Sequence, residues 1–155
     1  MIKTIDANGL ILGRMATRAA KLALLGEKIQ IVNCEKTVIA GSQSKIDKMN
    51  KLRSMGSPFK GPFYPKASER IVKRAIRGML PYKHTRGREA LSRVKCYVGQ
   101  PEELKITEMI SIPKASKEKI SAIKTISLEN IPGAKKWVRQ LLKKYHMQPV
   151  SVKDP

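Results

Sequence analysis

From Arg77 to Arg88 the chain reads RGMLPYKHTRGR, setting Arg77, Lys83, Arg86 and Arg88 around Tyr82 and His84. A guanidinium is a planar fork that holds phosphate at two points and stacks on bases, whereas an ammonium acts as a point charge. Tyrosine and histidine rings stack on unpaired bases; burial of Tyr82 against a core is an equal alternative. Like charges at this density repel one another, so the chemistry they suit is contact with a polyanion. Gly78 and Gly87 remove side chains where a backbone could approach a sugar–phosphate chain. Plain turn geometry accounts for those two glycines equally well.

The surroundings strengthen this reading. Residues 60–95 hold eleven basic residues and two acids, Glu69 and Glu89. A solvated helix face normally interleaves Glu with Lys at i,i+4 spacing, and that compensation is missing here. The whole chain of 155 residues carries a formal net charge of +20. Self-repulsion of that size destabilises a compact state until a polyanion neutralises it. Nucleic acid is the leading partner class and an anionic membrane surface the second.

Other chemistry is poorly supplied. With 12 acids and two histidines, no Ser/His/Asp set and no carboxylate pair can be singled out. GLILG, Gly9 to Gly13, lies between a strand and a helix as phosphate loops do, but matches no nucleotide fingerprint. Gly9 and Gly13 read as turn and helix-packing glycines. Cys34 and Cys96 fall in predicted strands without metal-ligand spacing, which favours buried, reduced thiols. His84 and His146 are isolated, so neither a metal nor another cofactor is expected. No apolar run approaches the roughly 18 residues of a membrane span, and Asp6 comes too early for a signal peptide.

The elements that must position the basic cluster follow from periodicity. KTIDA reads as a first strand, RMATRAAKLALLG as a helix with Arg14 and Arg18 off its apolar face, KIQIVNC as a second strand and TVIAG as a third. Strand, helix, strand at this spacing implies a crossover with parallel pairing. SKIDKMNKLRSMG is a further helix, with Ser44 and Asp47 close to a capping box. SPFKGPFYPK, with Lys60 and Lys66, is an ordered loop. In SERIVKRAIRGML, Ile71, Val72, Ala75, Ile76, Met79 and Leu80 form one helical stripe. Arg70, Lys73, Arg74 and Arg77 take the opposite side; Ser68 is the expected cap and Pro81 the stop. REALSRV, which includes Arg93, is a second helix, and KCYVG the next strand. Residues 82–88 between the two helices are expected to be mobile alone and ordered on a polyanion. Beyond residue 101 the pattern weakens to a polar stretch, a short strand KTISL and an amphipathic helix near 132–146. One domain with a C-terminal appendage is the expected organisation: a core over 1–101 with its binding segment at 60–95, then an extension over 102–155.

VNCEKTVIAG at 32–41, GPFYPKASERIVKRAIRGMLPYKHTRGREAL at 61–91 and KCYVGQP at 95–101 resemble the L-thirteen family of large-subunit ribosomal proteins. GPFYPK and YKHTRGRE are similar to its archaeal and eukaryotic branch. The resemblance implies a three-layer α/β/α fold around a four-stranded parallel sheet, Rossmann-like, with the basic helix–loop–helix segment attached. It implies a cytoplasmic, structural role in the ribosome on large-subunit, 23S-type rRNA beside neighbouring ribosomal proteins, without catalysis. No membrane and no small-molecule substrate are implied, and nucleotide binding does not carry over, because the dinucleotide glycines are missing. Lys60, Lys66, Arg70, Lys73, Arg74, Arg77, Tyr82, Lys83, His84, Arg86, Arg88 and Arg93 would then face rRNA, with Arg14 and Arg18 beside them. A free-standing RNA-binding regulator or RNA-processing subunit is the alternative, and a nucleotide-dependent enzyme on the same core the third reading.

Overall fold

A computed structural model describes residues 2–57, 59–101, 104, 109–116 and 125–128. In chain order its elements are β1 (Ile2–Asp6), α1 (Leu12–Leu24), β2 (Lys28–Val32), β3 (Val38–Ala40), α2 (Gln43–Ser54), α3 (Ser68–Met79), α4 (Thr85–Ser92), β4 (Val94–Cys96) and β5 (Thr125–Ser127). β1 and β2 pair in parallel, with Ile2 opposite Lys28 and Asp6 opposite Val32. Helix α1 makes the crossover, since parallel neighbours cannot be joined by a tight turn. β4 adds in parallel to the other side of β2, Ile29 opposite Val94 and Ile31 opposite Cys96.

Among the described residues the parallel sheet therefore has three strands, in the order β1-β2-β4, where four were expected. β3 stands outside it and pairs antiparallel with β5. The cause is local: Asn33 takes a left-handed conformation, φ 56°, and a tight helical turn over Cys34–Lys36 follows, so the chain leaves the sheet plane before β3 begins. On the free edge of β1, Thr4 makes a single parallel bridge to Met109.

One face of the sheet, Ile5, Ile29, Ile31 and Val94, meets Met15 and Ala19 of α1 and Ile71, Val72 and Ile76 of α3 in one core. Four buried alanines of α1, at 16, 19, 20 and 23, let α3 approach closely, and the Thr17 hydroxyl reaches the Met79 sulfur at 3.5 Å. No aromatic side chain is buried among the described residues, so aliphatic packing supplies the hydrophobic stabilisation. Segments beyond residue 101 are seated on the same body. Leu128 is fully buried in the core, and the Ile11 amide donates to the Ala115 carbonyl at 2.8 Å.

Several local expectations change. Ser68 is not the cap of α3: Ala67 holds that position, and the buried Ser68 hydroxyl has no partner. Ser42, not Ser44, precedes α2. Gly9 is a turn glycine at φ +66°, but a β-carbon on Gly13 would meet nothing within 4 Å, so Gly13 is not a packing glycine. Cys34 lies in the turn after β2, not in a strand. There its thiol is pushed upward by a hydrogen bond with Cys96 and by burial. The predicted helix at 132–146 lies outside the described residues.

Candidate nucleic-acid interface

Helix α3 sorts its residues as the periodicity demands. Ile71, Val72 and Ile76 are buried, while Arg70, Lys73 and Arg77 are exposed on the other side. Spacings of three and four put these three cations on one helical face. Burial raises the pKa of the Glu69 carboxyl, in the first turn, against the pull of Arg70. Met79, expected in the apolar stripe, is 43% exposed at the helix end.

After Leu80 the chain turns sharply. The His84 amide donates to the Pro81 carbonyl at 2.9 Å, and the Arg88 amide to the His84 carbonyl at 3.1 Å. Helix α4 thus begins at Thr85, three residues before its expected start, and Arg86 and Arg88 are helical. Gly87 explains why. It is buried, and a β-carbon there would lie 2.1 Å from the Pro81 carbonyl oxygen and 2.8 Å from the Tyr82 nitrogen. Absence of a side chain lets the first turn of α4 rest on the preceding backbone. Residues 85–88 thus form the first turn of α4, where a loop was expected.

The turn and α4 expose Lys83, His84, Arg86 and Arg88. Tyr82 is exposed rather than buried, and the Arg77 guanidinium carbon stands 5.2 Å from its ring centre, joining the α3 face to the turn. α4 has no acid in its first turn. Cations there stand at the positive end of a helix dipole, which is unfavourable until an anion arrives.

Other candidate cations are held by the protein itself. Arg74 is half-buried, donates to the Phe63 carbonyl at 3.0 Å and lies 4.2 Å from the Tyr64 ring centre. Arg93 donates to the Ala23 carbonyl at 3.3 Å and pairs with Glu89 at 3.5 Å, tying the end of α1 to α4. Arg14 donates to the Lys114 carbonyl at 2.9 Å. Lys60 and Lys66 are exposed on the loop before α3, and Arg18 is exposed on α1. Sequence reasoning missed Phe59 and Phe63, both exposed on that loop. Their signal was the pairing of aromatics with lysines in a Pro/Gly-rich stretch.

The profile of the family described as ribosomal protein L13 matches residues 1–103. The chain belongs to the ribosomal protein L13 family. Curated relatives extend the match beyond the profile. A protein of Methanosarcina barkeri named large ribosomal subunit protein uL13 is 53% identical over 129 residues, covering 82% of this chain and 92% of that relative. Proteins of the same name from Natronomonas pharaonis, 44% identical over 86% of this chain and 92% of theirs, and Archaeoglobus fulgidus, 46% identical over 76% of each, agree. In this L13-family chain the sequence RGMLPYKHTRGRE spans the junction of α3, the turn and α4.

Proposed function

We propose that this chain is a structural, non-catalytic component of the large ribosomal subunit, in the cytoplasm, binding large-subunit rRNA beside neighbouring ribosomal proteins. The observation that carries the mechanism is the exposure of Arg70, Lys73 and Arg77 on one face of α3, with Lys83, Arg86 and Arg88 exposed on the turn and α4 that follow it. Cations this numerous neutralise phosphates that converge where RNA helices pack and so hold the junction in one geometry. Shape and phosphate contacts dominate over base reading in such a site. His84, Tyr82, Lys60, Lys66 and Arg18 extend the contact surface. Arg74, Arg93 and Arg14 position it, through the carbonyls they hold.

The finer architecture belongs to the same proposal: three layers, Rossmann-like, around a four-stranded parallel sheet. Burial of Thr4 and Val32, on the sheet face turned from α1 and α3, supports a covered second face, and the Thr4–Met109 bridge supports a fourth strand. Residues 60–95 are the RNA-binding segment of a core over 1–101, and 102–155 are an extension.

Binding of the isolated protein to large-subunit rRNA, titrated with salt, tests the mechanism. Neutralising six to eight phosphates gives a log–log slope of roughly −5 to −7 if the B-DNA coefficient is borrowed. A slope near zero sinks it. Co-sedimentation with the large subunit in high salt separates a ribosomal component from a free-standing RNA regulator.

A further inference from the structure

We infer that the loop between α2 and α3 is a base-stacking finger, in which Phe59 and Phe63 take unpaired nucleobases of RNA. The inference rests on the rRNA-binding reading above and assigns to it a site made by rings rather than charges.

The two phenylalanines are 93% and 71% exposed, more than any other large hydrophobic side chain among the described residues. The loop that carries them is built. Ser57 and Gly61 form an antiparallel bridge, with the Gly61 amide donating to the Ser57 carbonyl at 3.3 Å. Gly61 has φ +69°, and a β-carbon there would lie 3.0 Å from the Phe63 ring, so the glycine is the bed on which that ring lies. Arg74 fixes the far side through the Phe63 carbonyl and the Tyr64 ring. Both rings are therefore displayed from a held backbone, which lowers the ordering cost of any contact they make.

Charge decides the occupant. No acid occurs between Asp47 and Glu69, and Lys60 and Lys66 are exposed on the loop itself. Seating both rings in an apolar protein pocket would draw the intervening Lys60 out of water, at a cost. Aromatic rings interleaved with cations suit single-stranded nucleic acid, where bases stack and phosphates are neutralised at once.

The test uses the full chain and two probes: a short single-stranded RNA carrying fluorescent aminopurine at its centre, and a short RNA duplex. Wild-type protein should bind both with salt dependence and quench the aminopurine. Replacing Phe59 and Phe63 together by alanine should weaken single-strand binding by about tenfold or more and abolish quenching, with duplex binding and Tm unchanged. The Phe→Leu pair keeps apolar surface and should lose the same affinity, whereas the Phe→Trp pair should keep it. Leucine variants with wild-type affinity and quenching would overturn stacking. So would alanine variants that bind both probes normally; if these also fail to track the large subunit, the rings dock on protein instead. A wild type that binds neither probe would overturn the rRNA reading as well, which separates the two failures.

Discussion

Gly87 rests on Pro81 so closely that a β-carbon would sit 2.1 Å from its carbonyl oxygen. Backbone, not a flexible side chain, blocks the space, so it opens only if α4 or the turn moves. Gly78, inside α3, has nothing within 4 Å of the same construction. The two glycines should respond oppositely to alanine. Gly87→Ala should cost about 1–3 kcal/mol through overpacking, and Gly78→Ala should gain about 0.5–1 kcal/mol by relieving helix entropy. Thermal melts of both variants decide this, and a stabilised Gly87→Ala would refute the packing account.

Amide exchange on the free protein tests the same contact differently. The amides of His84, Gly87 and Arg88 are bonded within the segment, so they should be protected before any RNA is added. Exchange at the unfolded rate would mean that the turn forms only on binding.

The faces of α3 should separate stability from binding. Ile76 is fully buried, and Ile76→Ala should cost about 2–5 kcal/mol. Exposed Lys73→Ala should stay within about 0.5 kcal/mol of wild type while weakening RNA binding and lowering the salt slope by about one. Melts run beside binding curves show whether either face is misassigned.

Arg74 breaks the rule of its own face. Sequence spacing groups it with the RNA-facing cations and implies little effect of Arg74→Ala on stability. Its hydrogen bond to Phe63 and its stack on Tyr64 instead predict a loss of about 0.5–1 kcal/mol, with faster proteolysis within residues 59–66. Lysine there should not restore the loop, lacking the planar fork. An Arg74→Lys protein with wild-type protease resistance would contradict this.

The Cys34 thiol is raised by its hydrogen bond with Cys96 and by burial. A group whose folded pKa lies above its unfolded value, about 8.5 for cysteine, supports the fold below that value. Its contribution falls as pH rises, because the unfolded chain loses the proton first. Stability should therefore drop more steeply above about pH 8.5 in wild type than in Cys34→Ala. Melts at neutral pH and near pH 9.5 measure the difference, and parallel profiles would remove the coupling.

What the sequence determined by itself was whatever repeats along a short stretch. The 3.6-residue period of Ile71, Val72 and Ile76 against Arg70, Lys73 and Arg77 divides α3 because neighbouring turns share a face. The uncompensated charge of 60–95 is an equally local property of the chain. The tertiary structure decided whatever depends on a partner distant in sequence or on close approach. β3 leaves the parallel sheet for β5, some 85 residues on. Arg93 is drawn to Ala23 rather than to solvent. Cys34, in the turn after β2, meets Cys96 of β4. Arg74 is diverted to a loop carbonyl, and Gly87 is required by one oxygen of Pro81. Periodicity records which side of an element faces inward, but the atoms waiting on that side are set by how the elements pack.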